Sequence, residues 1–181
     1  MRLLTEEETR TFFNKLGRYI GGNIKFLIDR EDEDYVFRFH RDRVYYIRVA
    51  LLKFVAHIGQ DELVAFGVCF GKFTKTGKFR LHITCLEYLA KYAKYKVWVK
   101  AAGEQAYVYG NHVAKTHLAK MTEGTPINTG VVVLSMNDTP LGFGVTAKST
   151  IQCRELEPTG IVVLNQCDVG EYLRSEHNAL T

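Results

Sequence analysis

The chain has 181 residues, of which 46% are apolar and 24% are charged, and its formal net charge is +4. This length allows one large or two small domains, and the apolar content is typical of a globular protein, not of a disordered one. No apolar run approaches the roughly 20 residues that a membrane-spanning helix needs, so we expect a soluble chain without a membrane partner.

The positive charge is concentrated in the first half of the chain. Residues 1–98 hold 18 Lys/Arg against 12 Asp/Glu, whereas residues 99–181 hold 6 against 8. We therefore expect any polyanion to contact mainly the first half.

The first predicted element is a helix that follows Thr5. Thr5 and Glu8 have the spacing of a capping box, and Gly21 with Gly22 is a typical helix end. Between them, Phe12, Leu16, Tyr19 and Ile20 recur at helical spacing. The sequence then predicts short strands over 24–28, 35–39 and 44–47, and a short helix over 49–58.

Residues 70–80, FGKFTKTGKFR, look like a phosphate-binding loop at first sight. Such a loop needs four residues between its glycines and a hydroxyl after its lysine, but here there are five residues, and Phe79 follows the lysine. The flanks, 63–73 and 79–83, predict strands, so 74–77 is interpreted as a hairpin turn. The hairpin carries four basic residues and no acid, which indicates either a polyanion surface or a solubilising sheet edge.

A second capping-box pattern at 84–87 predicts a helix over 84–92. A strand over 96–100 and a helix over 103–109 follow, and then four strand signals recur about every ten residues, near 114–121, 131–136, 143–148 and 161–166. This regular spacing of short strands predicts a small strand-rich barrel. The predicted domains are 1–94 and 95–172, followed by a C-terminal tail of 173–181. Because no Gly/Pro/Ser linker joins them, we expect the two domains to dock through an apolar interface.

The residues that often carry catalysis or bind metals are scattered. The four cysteines lack zinc-pair spacing and are expected to be reduced and buried, and His112 and His117 lack the pattern of a zinc protease. Residues 142–147 contain G-x-G-x-x-A, but they lie in a strand-like run and not before a helix. We therefore predict no catalytic residue, no metal site and no cofactor.

Several motifs together resemble a known family. YGNHV (109–113) and LGFGVTAKST (141–150) resemble the PUA domain, a pseudo-barrel RNA-binding module, and FGKFTKT and YAKYKVW resemble the first half of one PUA-containing family. That family comprises the nucleolar 60S ribosome subunit biogenesis factors, the Nip-type factors of precursor rRNA processing.

The resemblance implies an α+β fold, with an N-terminal mixed α/β domain containing an antiparallel sheet and a C-terminal PUA pseudo-barrel. It implies a non-catalytic RNA-binding assembly factor of the 60S subunit, located in the nucleus and nucleolus. The implied partners are precursor rRNA and other preribosomal assembly factors, and we expect a monomer. Two alternatives stay open: a protein-only adaptor in the preribosome, and an rRNA-modifying enzyme.

The candidate RNA-binding residues fall into two groups. Between residues 70 and 100, eight basic residues face one acid, Glu87, with aromatic residues among them that are expected to be mostly core, Trp98 pointing inward. In the PUA half, the family's contact regions match stretches whose charges over 148–157 sum to zero, so RNA and a partner protein are alternative ligands there. The candidates are Lys72, Lys75, Lys78, Arg80, Lys94 and Lys96 in the first group, and Gly110, His112, Lys115, Lys148 and Arg154 in the second.

Overall fold

The computed structural model describes residues 1–59 and 61–176, and its fold is mixed α/β with two sheets. The predicted tail, 173–181, therefore lies outside the described residues from 177 onward. The first half contains α1 (Glu6–Ile20), α2 (Lys25–Ile28), β1 (Tyr35–His40), β2 (Arg43–Arg48), α3 (Leu52–Val55), β3 (Val68–Phe73), β4 (Phe79–Leu81) and α4 (Leu86–Tyr92). The second half contains β5 (Lys96–Val99), α5 (Ala101–Val108), β6 (Val113–Ala114), β7 (Leu118–Met121), β8 (Gly130–Leu134), β9 (Pro140–Thr146), α6 (Thr150–Glu155), β10 (Ile161–Asp168) and α7 (Glu171–Arg174).

Helix α1 forms for the reasons that the sequence indicates. The Thr5 side chain accepts from the Glu8 main chain, and the Glu8 carboxylate accepts from the Thr5 main chain at 2.8 Å. Gly21, with φ of 54°, ends the helix. The buried face of α1 consists of Phe12, Leu16, Tyr19 and Ile20, as predicted.

One predicted element and one predicted helix cap of the first half are wrong. Residues 24–28 are helical and not a strand, because Ile24 and Leu27, three residues apart, are the pair that packs into the core. The capping box expected at 84–87 is absent, since the Thr84 hydroxyl donates to the Cys69 carbonyl, and a 3₁₀ turn (Ile83–Cys85) opens α4 instead.

The first sheet is antiparallel with the order β1-β2-β3-β4, as expected for this half. The predicted hairpin turn is confirmed: Thr74 donates its main-chain N–H to the Lys78 carbonyl at 2.8 Å, and Gly77 has φ of 74°. β3 begins at Val68 and not at Leu63, so the predicted strand is shorter than expected.

The second sheet has six strands in the order β6-β10-β9-β8-β5-β7, with β5 and β8 parallel and the other pairs antiparallel. Its interior is a valine-rich core that includes Val97, Val99, Val131, Val133, Val162 and Val163. The strand predicted over 114–121 is interrupted by a 3₁₀ turn, Lys115–His117. Helix α6 was missed, although Ser149 and Gln152 form a capping box at its start.

One apolar cluster joins the two halves. Its buried members include Phe12 and Tyr19 of α1 together with Val132, Phe143 and Cys167 of the second sheet. The Tyr19 and Phe143 rings meet edge to face, with centroids 5.4 Å apart. The halves are thus docked through an apolar interface. In the part of the chain that the structure describes, no helix is long and apolar enough to cross a membrane.

Replacing Gly130 should weaken this docking. A Cβ at Gly130 would lie 2.8 Å from the Arg18 carbonyl oxygen and 2.8 Å from the Tyr19 ring, so α1 would have to move away from β8. We expect Gly130→Ala to lower the free energy of unfolding by about 1–3 kcal/mol, measured by urea denaturation. The control is Gly22→Ala, because a Cβ at Gly22 meets nothing within 4 Å. Equal stability of the two variants would contradict the close packing of α1 against Gly130 of β8.

Candidate functional site

Three basic residues stand side by side across the first sheet. The strand register pairs Arg43 of β2 with Lys72 of β3, and Lys72 with Arg80 of β4. Like charges in directly opposed positions destabilise a sheet, so the fold alone does not account for this row. The row is therefore the first indication of an anion-binding surface.

A bulge in β3 sets which side chains the hairpin exposes. Val44 pairs with Gly71 and Tyr45 with Cys69, so Phe70 is an additional residue in β3 that has no opposite partner. Phe70 is consequently buried, as is Phe79 across the hairpin, while the alternation beyond the bulge turns Lys72 outward. The lysines are exposed because the aromatic residues of the same strands face the core.

Two cavities that share lining residues lie beside the hairpin, the first against the C-terminal segment and the second against the second sheet, and we call them together the interdomain groove. They measure about 410 Å³ and about 560 Å³, and both are lined by Arg80, His82 and Glu171. The first is lined in addition by Arg43, Lys72, Phe73, Thr74, Ile83 and Ser175, and the second by Lys15, Tyr19, Lys78, Phe79, Leu81, Phe143, Gln166 and Cys167. The groove thus combines side chains from α1, β2, the hairpin, β10 and the C-terminal segment.

The groove is electropositive. Burial is the main cause that lowers the pKa of Lys15; the charge of Arg18 adds to it, Cys167 opposes it, and Arg80 makes a smaller contribution in the same direction as Arg18. Among residues 1–59 and 61–176, no carboxylate forms an ion pair with Lys72, Lys78 or Arg80, and all three side chains are exposed. An anion entering the groove would therefore meet cations whose charge is not already neutralised at close range.

His82 is neutral at physiological pH. Burial, together with the charges of Arg43 and Lys72, lowers the pKa of His82 to about 4. Its Nδ1 lies 3.4 Å from Nη1 of Arg43, which has only donors, so Nδ1 is the acceptor and Nε2 carries the proton. His82 therefore gives the groove a neutral N–H donor among its cations.

Glu171 is the acid that lines both cavities. Burial raises the pKa of the Glu171 carboxyl, and Cys167 and Asp168 lie close to it. Glu171 supplies oxygen acceptors to a groove that otherwise offers mainly donors.

The structure brings together some of the basic residues predicted in the first half. Lys72, Lys78 and Arg80 line the groove, and Lys75 is exposed at the hairpin tip. Lys94 and Lys96 are not among the groove's lining residues: the Lys94 main-chain N–H donates to the Tyr19 carbonyl, and Lys96 begins β5. The basic residues between 70 and 100 therefore do not all lie in the groove.

Trp98 does not enter the barrel interior, but it packs against the apolar cluster that joins the two halves, as expected for a core aromatic. The barrel interior is occupied by its neighbours Val97 and Val99, which are fully buried, while Trp98 is half-buried on the opposite face of β5. Its indole N–H donates to Asp138 at 2.6 Å, and the Lys120 ammonium lies 4.2 Å from the ring centroid.

The PUA-half candidates form two groups. Gly110 and His112 lie beside β10, where His112 Nδ1 accepts from the main-chain N–H of Asn165 at 3.1 Å. The residue after Asn165, Gln166, lines the groove, so β10 connects these candidates with the hairpin surface.

The other three PUA-half candidates surround α6. Lys115 donates to the Cys153 carbonyl, Arg154 lies 3.4 Å from Glu123, and the charge of Lys148 acts on the Cys153 thiol. Two of these three cations already contact protein acceptors, so they are less available to phosphates than the hairpin lysines.

Several groove residues were missed from the sequence. Arg43 and Lys15 were not among the candidate residues. His82 was not selected because it is an isolated histidine. Strand register would have indicated Arg43, which is opposite Lys72, but nothing local to the sequence places Lys15 near Arg80.

The lowered pKa of His82 should appear in the pH dependence of stability. Its folded-state pKa of about 4 lies below the ordinary 6.5, so between these values the unfolded state binds a proton that the folded state does not. Stability should fall as the pH is lowered from 6.5 towards 4, and His82→Gln should reduce this loss. Urea unfolding at pH 7 and pH 5 measures the difference. An unchanged pH dependence in the variant would show that His82 has the same pKa in the folded and the unfolded protein.

Comparison with known families identifies both halves of the chain. The family profile described as "NIP7/UPF0113, pre-PUA domain" matches residues 1–83, and the "UPF0113 PUA domain" profile matches residues 95–177.

Several relatives are similar over nearly the whole chain. The Xenopus laevis protein "60S ribosome subunit biogenesis protein NIP7 homolog" is 62% identical over 97% of this chain and 98% of its own length. The Mus musculus protein of the same name is 60% identical and the Schizosaccharomyces pombe protein "60S ribosome subunit biogenesis protein nip7" is 58% identical, each with the same coverage.

Solved structures are similar in fold. A PUA domain protein from Aeropyrum pernix aligns with a TM-score of 0.61 at 17% identity, covering 95% of this chain and 87% of its own. A hypothetical protein from Pyrococcus horikoshii aligns with a TM-score of 0.60 at 13% identity, covering 96% of both chains. The predicted fold class, an N-terminal α/β domain followed by a PUA barrel, is confirmed.

Proposed function

The chain belongs to the NIP7/UPF0113 PUA-domain family, and on this premise we propose that it is a 60S ribosome subunit biogenesis protein that binds precursor rRNA along the interdomain groove. Relatives with about 60% sequence identity over nearly the whole chain are named 60S ribosome subunit biogenesis proteins. The observation that supports the groove as the RNA-binding surface is the cross-strand row of Arg43, Lys72 and Arg80.

The chemistry of the groove suits a phosphate backbone. Arginine and lysine side chains concentrate RNA by Coulomb attraction, and guanidinium groups also donate paired hydrogen bonds to phosphate oxygens. Lys78 extends the row towards Lys15, so the positive surface follows the hairpin into the second cavity. A chain of phosphates is the ligand that such an extended arrangement fits.

A second contact, made by the surface around α6, positions the protein within the preribosome. Around α6, Lys115 and Arg154 contact protein acceptors, and Ile151 is 74% exposed. This surface is better suited to another assembly factor than to RNA. Two modest contacts on one rigid body raise the avidity for a particle that presents both partners. The protein acts where such particles form, in the nucleolus.

The proposal assigns no catalytic step to this chain. Burial raises the pKa of the Cys69, Cys85, Cys153 and Cys167 thiols, which therefore stay protonated and poorly nucleophilic. Incubation of the purified protein with precursor rRNA and a labelled methyl donor tests the competing enzyme hypothesis, and transfer of label would support it.

Replacing Lys72, Lys78 and Arg80 together by glutamine should weaken RNA binding and make it less dependent on salt. If each residue meets one phosphate of single-stranded RNA, the slope of log K against log salt should become shallower by about 2. Fluorescence anisotropy with labelled single-stranded RNA between low and moderate salt gives this slope.

A matched control replaces three exposed lysines outside the groove, Lys25, Lys53 and Lys100, by glutamine. It removes the same net charge and should change the slope much less. An equal loss in both triple variants would mean that RNA responds to overall charge and has no preferred surface.

A further inference from the structure

Tyr19 carries an unused hydrogen-bonding group at the groove. The residue is 1% exposed and lines the second cavity, and its hydroxyl finds no hydrogen-bond partner among the residues that the structure describes. Burial raises the pKa of this hydroxyl, which is therefore a neutral donor and acceptor. An unpaired buried hydroxyl is costly, so a ligand that pairs with it is expected.

The second cavity adds apolar and uncharged polar groups to the cations of the groove. Lys72, Arg43 and Arg80 make the first cavity a site for phosphate, whereas in the second, beside Lys15, Lys78 and Arg80, the buried side chains of Phe143, Leu81 and Cys167 form a small apolar part of the lining. Around that apolar lining stand uncharged polar groups, the Tyr19 hydroxyl and the Gln166 amide. An apolar surface with a few converging polar groups is typical of a site for a flat heteroaromatic ring.

Resting on the proposed function, we propose that the interdomain groove takes up a single unpaired nucleotide of RNA: its phosphate lies against Lys72 and Arg80, and its base enters the second cavity, where Tyr19 and Gln166 hydrogen-bond the base edge. Both cavity volumes, about 410 and 560 Å³, lie in the usual range for such a ligand. A base paired in a helix cannot enter, because its hydrogen-bonding edge is occupied and its faces are stacked.

An acidic peptide fits the groove less well. Glu171 lines both cavities and would repel the carboxylates of such a peptide, whose side chains bring no donor for it. The edge of a nucleobase carries N–H donors that the Glu171 carboxyl can accept. The mixture of cations, neutral polar groups and one acid therefore favours a nucleotide.

The test compares single-stranded RNA of about 12 nucleotides with the same RNA annealed to its complement. Tyr19→Phe and Gln166→Ala should each weaken binding of the single strand about five- to tenfold, the effect of one lost hydrogen bond. Neither change removes charge, so the salt dependence and the duplex affinity should be unaffected. Tyr19→Phe should also raise the urea midpoint of the free protein, because it removes an unpaired buried hydroxyl.

The matched controls are Tyr46→Phe and Gln105→Ala. The Tyr46 hydroxyl donates to the Leu27 carbonyl at 2.7 Å, so its loss should lower the urea midpoint and leave RNA binding unchanged. Gln105 is exposed outside the groove, and its replacement should leave RNA binding unchanged.

Three outcomes would overturn the inference. In the first, Tyr19→Phe and Gln166→Ala bind the single strand as the wild type does, while the Lys72/Lys78/Arg80 variant is impaired. The groove then binds only the phosphates, and the proposed function still holds. If these variants bind single strand and duplex with an equal loss, no unpaired base is recognised. If a polyglutamate peptide binds and its affinity falls in these variants while that of RNA does not, the ligand is an acidic protein segment.

Discussion

The whole molecule depends on the burial of one helix against two sheets. Phe12 of α1 meets the rings of Phe37 and Phe79 of the first sheet, at centroid distances of 4.8 and 5.1 Å, and Tyr19 meets Phe143 of the second sheet. A unit of about 90 residues buries only some 60–65% of its unfolded surface and is marginally stable alone. The shared cluster enlarges the core of both halves, so each half is stabilised by its contact with the other.

The same packing permits the cationic row. Opposed like charges cost about 0.2–1 kcal/mol for each neighbouring pair, and the row of Arg43, Lys72 and Arg80 contains two such pairs. On the opposite face of the hairpin Phe79 is 4% exposed, and full burial of one such side chain contributes about 1.5–3 kcal/mol. The aromatic contacts therefore exceed the repulsion, and the hairpin can hold Lys72 and Arg80, which form no ion pair among the described residues, in a fixed register.

The sequence was most informative where a feature is local. The Thr5–Glu8 cap, the Gly21 helix end and the 74–77 turn are each specified within a few residues, and each is present. The capping-box pattern at 84–87 failed because the Thr84 hydroxyl found a partner on β3, fifteen residues away. The same four-residue pattern therefore marks a capping box at Thr5 and none at Thr84.

The candidate site was only partly predictable for the same reason. Local charge indicated the hairpin lysines, but the bulge at Phe70 decides which face they occupy, and a bulge is a property of two paired strands. Lys15, Tyr19 and Gln166 reach the groove through the docking of α1 and β10, which no short segment encodes.

A groove assembled from distant parts of the chain links ligand binding to the docking of the two halves. A ligand that contacts Lys78 of the first half and Gln166 of the second binds only when the halves are docked, so it stabilises the docked state, by about 2.7 kcal/mol at a concentration of 100 Kd. By reciprocity, a change that favours the docked state without altering the groove's own contacts also tightens binding in the groove, so docking and RNA affinity are linked through the same helix.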